Sequence, residues 1–470
     1  MPILPLIAAL LMTAACTAPA QPLPEGDRAA DGPVAGYFAA QGPEERARAV
    51  EAVAALPGYR PERLPELLHG AELWEPLPAG RRELEVPVGH GRVRRVLLRL
   101  PRGYDPGRAW PLLLAYHPSG GSAEPMLSSA ERMLGRRVEE YVVAAPHHYR
   151  QTVLDHPRPV SSEHAEVLRA IKERVHVDSD RVYLFGWSLG GYTAWTLATL
   201  HADLFAGAVP LASTFSFPAD VPGLWQAFFP NFRHLPVLSV WGGRDRLDVP
   251  GLAGRRSSGS MATLNRRLGP LLAERGAASV VHHEVPKAGH GGFQPPAAEL
   301  ARVLTAERVH APASVRHLFR YVHQGHAYWV EGHAWAGPVW DRPWPEVRRR
   351  KGEPEGAALA RTILELLGEI RGERRGQTLE VESRHLADLT VWLGSGDVDW
   401  ERPVTVTHNG REVFRGRLAP DLGVALAQAA RTRDFDRLRW AGVRIDAARG
   451  TARPVTAADD FPPVLREVLD

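Results

Sequence analysis

Between residues 84 and 306 short apolar runs alternate with longer stretches of helical spacing. RELEVPV and RVRRVLLRLP interleave apolar and polar positions and predict two amphipathic strands. WPLLLAYH (110–117), YVVAAP (141–146), RVYLFG (181–186), AGAVPLAS (206–213), LPVLSVWG (235–242) and SVVHHEVP (279–286) are apolar almost throughout and predict strands buried on both faces. Helical spacing fills 123–135, 163–175, 189–201, 260–275 and 295–307. This alternation predicts an α/β fold: a doubly wound, mostly parallel sheet covered on both faces, with chemistry on loops beyond the carboxyl ends of the strands.

After about residue 310 the pattern changes to alternating, aromatic-rich segments (HLFRYV, AYWVEGHAW, QTLEVES, DLTVWLG, PVTVTHNGREVFRGRL, WAGVRIDA), which predict a C-terminal antiparallel, β-sandwich-like unit. Asn409-Gly410 marks a two-residue hairpin, because both residue types tolerate the positive φ of a type I′ turn. One helix is expected in this part, over 358–370, from the stripe Leu359, Ile363, Leu366, Leu367 and Ile370. Upstream, 43–72 reads as two short helices broken at Pro57-Gly58 and packed on the main domain, and 17–36 is rich in Pro, Ala and Gly without periodicity. The expected organisation is a signal segment (1–16), a flexible tether (17–42), a helical segment (43–76), a catalytic domain (77–308) and a β-rich accessory domain (309–470).

The chain has 470 residues, 44% hydrophobic and 24% charged, with a net charge of +3, enough for two folded units with a large core. Lysine occurs only at Lys172, Lys287 and Lys351, and the arginines are dispersed among acids, so no basic stripe points to nucleic acid. MPILPLIAALLMTAA is apolar, too short to span a bilayer, and ends in small residues before Cys16, the single cysteine. Thr13-Ala14-Ala15-Cys16 resembles a bacterial lipoprotein signal, which implies lipidation of Cys16 and export, with membrane contact only through that lipid. Thr13 stands where leucine is usual and no Lys or Arg precedes the apolar stretch, so ordinary secretion is the alternative. With one cysteine no internal disulfide can form.

Gly186-Trp187-Ser188-Leu189-Gly190, between a strand and a helix, has the G-x-S-x-G form of a nucleophile elbow. The serine would occupy a tightly turned, strained position, and a side chain at 186 or 190 would strike the neighbouring strand or helix. A serine hydroxyl needs a base to take its proton and a third group to orient that base. Asp245, in WGGRDRLDVP, and His290, in KAGHGGF, follow later strands in the order Ser, Asp, His of α/β-hydrolases. Asp248 is the rival acid; His147-His148 and His282-His283 are the rival histidines. Oxyanion donors are expected from Leu189 and from the loop His117-Pro118-Ser119-Gly120-Gly121, where Pro118 has no N–H and Ser119 is preferred over Gly120.

PRGYDPGRAWPLLLAYHPSGGS, DSDRVYLFGWSLGGYTAW, ADLFAGAVPLAS, WGGRDRLDVP and AGHGGF, taken in order, resemble the secreted α/β-hydrolase esterases related to polyhydroxybutyrate depolymerases and feruloyl esterases, a group similar to the catalytic domain of prolyl oligopeptidases. The resemblance implies Ser188, Asp245 and His290 as a catalytic triad, Leu189 and Ser119 as oxyanion donors, and an ester substrate, polysaccharide-linked or polyester. No metal or organic cofactor is called for. The alternatives are an oligopeptidase and a binding protein on a degenerate hydrolase scaffold; no repeat of propeller-blade length separates Cys16 from the first hydrolase strand. Tyr328, Trp329, Trp335, Trp340 and Trp344 are read as packing aromatics rather than a sugar platform. His317, His323, His326 and His333 lack metal-site spacing and are read as surface or packing residues.

Overall fold

The computed structural model describes residues 21–22, 32–88, 92–147, 163–215, 223–249, 259–274, 279–340 and 345–459. Residues 1–16, expected to be a signal segment and including Cys16, lie outside the described residues, as do His148 and Trp344.

A nine-stranded sheet forms from β1 (Gln21–Pro22), β2 (Gly80–Val88), β3 (Arg92–Leu100), β4 (Trp110–Tyr116), β5 (Val142–Pro146), β6 (Val177–Trp187), β7 (Gly207–Leu211), β8 (Val237–Gly242) and β9 (Val280–Val285), in the order β1-β2-β3-β5-β4-β6-β7-β8-β9. The pairs β2/β3 and β3/β5 are antiparallel, and every pair from β5/β4 to β8/β9 is parallel. The runs without polar alternation are the central strands: all seven residues of β4 and all five of β5 are buried, as expected for a parallel sheet with helices on both faces. Two apolar clusters follow from the strands' period of two. Leu112, Leu114, Val182 and Leu184 join one; Leu113, Ala115, Tyr183 and Phe185 join the other. The predicted helices appear as α4 (Ala123–Leu134), α5 (Glu163–Arg174), α6 (Leu189–Leu200), α8 (Met261–Glu274) and α9 (Ala297–Leu304), with a short α7 (Leu224–Phe228) between β7 and β8.

The C-terminal part holds two five-stranded sheets. One is β10-β13-β14-β16-β17: β10 (Ser314–Phe319), β13 (Gly368–Arg375), β14 (Thr378–Arg384), β16 (Val404–His408) and β17 (Arg411–Gly416). The other is β11-β12-β15-β18-β19: β11 (His326–Ala327), β12 (Val330–Trp335), β15 (Leu386–Leu393), β18 (Ala441–Asp446) and β19 (Thr451–Pro454). Both contribute to one core, Ile370, Val381 and Val406 from the first and Val330, Val391 and Val443 from the second, so they pack as a β-sandwich. Among the described residues of the sandwich only the β14/β16 pair is parallel. The hairpin at Asn409-Gly410 forms as expected, with φ 49° and 78° and His408 paired to Arg411.

Three expectations are corrected. The helix expected over 358–370 is α10 (Glu355–Leu366), and Ile370 lies in β13. The chain turns extended at Leu367 because Gly368 must fit against Phe319 and Trp335, where a Cβ would sit 2.5 and 2.9 Å from their rings. The tether expected over 17–42 contains α1 (Pro33–Ala39), with Val34, Ala35 and Tyr37 buried. The helical segment, α2 (Pro43–Ala54) and α3 (Leu64–Gly70), packs chiefly on α11 (Leu422–Thr432) of the C-terminal part rather than on the main sheet. Val53, Leu64 and Leu68 share a core with Ala425, Leu426, Phe435 and Trp440. Trp74, stacked at 3.7 Å on His176, and His69, whose Nδ1 lies 2.8 Å from His176 Nε2, tie this cluster to the main-sheet unit.

Candidate active site

Ser188 follows β6 and caps α6 with φ 54° and ψ −111°, a conformation that costs a non-glycine residue of the order of 1–3 kcal/mol and persists only where its surroundings fix it. The backbone does so: the Ser188 N–H donates to the Leu211 carbonyl (2.8 Å) and its carbonyl accepts from Tyr192 (3.0 Å). The flanking glycines are needed for close approach. A Cβ at Gly186 would stand 2.0 Å from the Gly190 carbonyl oxygen, and one at Gly190 would stand 1.9 Å from the Tyr116 carbonyl oxygen. The same crowding sets the end of β4 beside the start of α6.

Asp245 and His290 come together because the loops after β8 and β9 are pressed against each other. The N–H groups of Gly243 and Arg244 donate to Val285 and Ala288, and Gly242 touches the Gly289 carbonyl so closely that a Cβ there would lie at 1.9 Å. The Asp245 carboxylate is fully buried. Its Oδ1 accepts the Leu247 N–H (3.0 Å) and its Oδ2 lies 2.6 Å from His290 Nδ1. His290 Nε2 lies 2.8 Å from Ser188 Oγ. A carboxylate on the Nδ1 side keeps the ring proton there and leaves Nε2 as the acceptor facing the serine hydroxyl.

The rivals go elsewhere. Asp248 is exposed and forms a backbone bridge with Ser260. His282 is half-buried against α8 with Nε2 3.0 Å from the Asn265 carbonyl, and desolvation pulls its pKa down to about 4. His147 packs edge-on against His117 at 5.5 Å. In the loop after β4 the Gly121 N–H closes a turn onto the Pro118 carbonyl (3.0 Å), Gly120 takes φ 70°, and His117 Nδ1 meets the Pro118 carbonyl at 2.9 Å. Neither the Leu189 nor the Ser119 N–H donates to a backbone carbonyl among the described residues. Sequence reasoning passed over one feature: Trp187 and Phe293, one and three positions from Ser188 and His290, stack at 5.0 Å. The aromatics inside GWSLG and GHGGF were the available signal. Residues 148–162 and 216–222, which follow β5 and β7, lie outside the described residues.

The other aromatic and histidine groups pack. Tyr328, Trp329 and Trp340 are buried. His317, His323 and His326 are buried as well, with His326 Nε2 2.8 Å from His201 Nδ1 and His326 Nδ1 2.9 Å from Asp203. His333 Nε2 meets Thr390 Oγ1 at 2.8 Å.

Residues 159–220 match the prolyl oligopeptidase family. Among curated proteins the chain is similar to NocK of Nocardia uniformis subsp. tsuyamanensis, assigned as an esterase (32% identity over 151 residues, 29% of this chain and 40% of NocK). It is also similar to the pimeloyl-[acyl-carrier protein] methyl ester esterase of Vibrio atlanticus (32% over 122 residues, 25% of this chain and 47% of that protein). The chain thus spans less than half the length of either relative. Among solved structures, LpqC, a poly(3-hydroxybutyrate) depolymerase from Bordetella parapertussis, aligns with 48% of this chain and 95% of its own at 19% identity and a TM-score of 0.36. The mostly parallel sheet, the strand-turn-helix at Ser188 and the match over 159–220 together show an α/β-hydrolase-type domain in this chain, and both curated relatives are named as esterases.

Proposed function

We propose that the protein is an exported serine esterase that works through an acyl-enzyme. The observation that carries the reading is the unbroken line from Ser188 Oγ through His290 to the buried Asp245, at 2.8 and 2.6 Å. Ser188 attacks the ester carbonyl while His290 Nε2 takes its proton. The tetrahedral oxyanion is held by the N–H groups of Leu189 and Ser119. Collapse expels the alcohol, which receives the proton from His290, and water then releases the acid by the same steps in reverse roles. Asp245 keeps the imidazole in its working tautomer and stabilises the imidazolium. Trp187 and Phe293 give the substrate side of the site an aromatic wall, which suits acyl groups with apolar or aromatic bodies.

The test is labelling by a fluorophosphonate, followed by p-nitrophenyl esters of graded acyl length. The reading requires a label on Ser188, hydrolysis of short or aromatic acyl esters, and a loss of roughly 10⁴- to 10⁶-fold in kcat for Ser188→Ala. An unlabelled Ser188, or turnover that survives Ser188→Ala, sinks it. The match to the prolyl oligopeptidase family favours a second reading, a peptidase. That reading gains if proline-containing peptide amides are cleaved in preference to esters under matched conditions. For the leader, we propose lipid on Cys16: Cys16→Ser should move the protein from the membrane to the soluble fraction, and a wild type already soluble would reduce the reading to ordinary secretion.

A further inference from the structure

A cavity of about 310 Å³ lies between the α/β domain and the β-sandwich, with room for roughly ten waters at about 30 Å³ each. Its walls come from both units: α5 supplies Leu168 and Lys172, while the C-terminal part supplies Tyr328, Val330, Trp392 and Arg439. It is remote from the nucleophile. Lys172 Nζ bonds to Ser179 near the start of β6, whereas Ser188 follows the end of that strand, nine residues and about 30 Å further on at ~3.3 Å per residue.

Four carboxylates face the cavity and each has a partner. Glu331 pairs with Arg431 (2.6 Å), Asp434 with Arg308 (2.6 Å), Asp203 with His326 (2.9 Å) and Arg437 (3.2 Å), and Glu166 is likewise engaged. Two cations are left over. Lys172, 5% exposed, donates to the Ser179 hydroxyl at 2.9 Å, and Arg439 donates to the Tyr328 carbonyl. Among the described residues neither has a carboxylate oxygen within 4.0 Å. A lysine ammonium carries three donors and a guanidinium five, so both retain donors for a further acceptor.

We propose that this cavity binds a small organic carboxylate, its charged end between Lys172 and Arg439 and its apolar body against Leu168, Tyr328, Val330 and Trp392. Inorganic anions are too small for the space and make no use of its apolar walls. A phosphoryl group brings a second negative charge against four carboxylates, whereas a single charge matches the unpaired donors. Burial pulls the Lys172 ammonium down to about 8, and Asp434, Asp436, Arg308 and Arg437 are the charged groups that face it. A bound carboxylate would give Lys172 and Arg439 a direct ion-pair partner, which the neighbouring carboxylates of the described residues, all beyond 4.0 Å, do not provide. Since the ligand would touch α5 and the sandwich at once, binding would also tie the two units together and stabilise both by mass action.

Calorimetric titration of the full chain with hexanoate, hexanol and inorganic phosphate tests this. Hexanoate should bind saturably, more tightly than phosphate, and hexanol should not. Lys172→Met and Arg439→Met should each weaken hexanoate at least tenfold, while Lys172→Arg retains binding and all three variants keep wild-type hydrolysis of p-nitrophenyl esters. Equal affinity of hexanoate for the wild type and both methionine variants would overturn the assignment, as binding in an acyl pocket at Ser188 would produce. Tighter phosphate or equal hexanol binding would overturn it too. Should a variant fail to fold, the wild type decides alone: hexanoate affinity should fall as pH rises from 7 to 9 and Lys172 loses its proton, and a flat profile refutes the site.

Discussion

Asp245 and Asp248 stand three residues apart on one loop, and burial separates them: the first is sealed against His290, the second faces solvent. Asp245→Asn should therefore lower kcat by about 10⁴-fold, since an amide can leave the histidine in the wrong tautomer. Asp248→Asn should leave kcat within about twofold of the wild type. Rates measured on one p-nitrophenyl ester for both variants decide it, and the opposite ranking would reassign the acid. The preference for Asp245 was legible because it lies nearer the end of β8. Its full burial was not, since that depends on Gly242 meeting Gly289 across two loops distant in sequence.

At the scale of elements, the patterns that held were those with a single answer. β4 through β8 appeared within a few residues of their apolar runs because a strand buried on both faces needs little beyond its own composition, whereas β9, expected to be buried likewise, is the edge strand with all six residues half-buried. The stripe that ended at Ile370 failed because leucine and isoleucine serve a helix and a strand equally well, and the contact of Gly368 with Phe319 and Trp335 is not written locally. Helix α11 was missed although its start carries a cap: Asp421 accepts the Val424 N–H at 2.9 Å. Asp421→Ala should cost about 1 kcal/mol, read as a lower midpoint in urea with an unchanged slope. A shift much larger than this would mean that the α11 cluster with α2 and α3 unfolds as a unit.

Across the whole molecule, the two units are joined by polar as well as apolar contacts. Arg308, its side chain fully buried, spans Asp180 and Asp434, and Asn231 exchanges hydrogen bonds with the Leu318 backbone. Beside them His201, on the hydrolase side, meets His317, His323 and His326 from the sandwich. Burial holds His201 well below its ordinary value, His317 at about 4 and His323 at about 3. The folded state thus binds fewer protons than the unfolded chain, whose histidines titrate near 6.5. Stability from these neutral rings is fully present above pH 6.5 and is lost as pH falls towards the folded values, at about 1.4 kcal/mol per pH unit for each proton. Melting curves from pH 7 to 4 should show a steep fall in Tm, shallower in His323→Leu. A slope unchanged by that substitution would remove the cluster from the cause.

The sequence by itself determined the α/β alternation, the β-rich C-terminal part, the Asn409-Gly410 hairpin and the order of Ser188, Asp245 and His290, because each rests on local periodicity, turn stereochemistry or a motif within one segment. Tertiary structure decided what depends on partners far along the chain. It docked α1, α2 and α3 against α11, buried Asp245 against His290, and gathered the histidines between the units. It also left Lys172 and Arg439, 267 positions apart in sequence, lining one cavity with no carboxylate oxygen of the described residues within 4.0 Å of either. Burial and charge balance are properties of the assembled volume, and no window of sequence contains both walls.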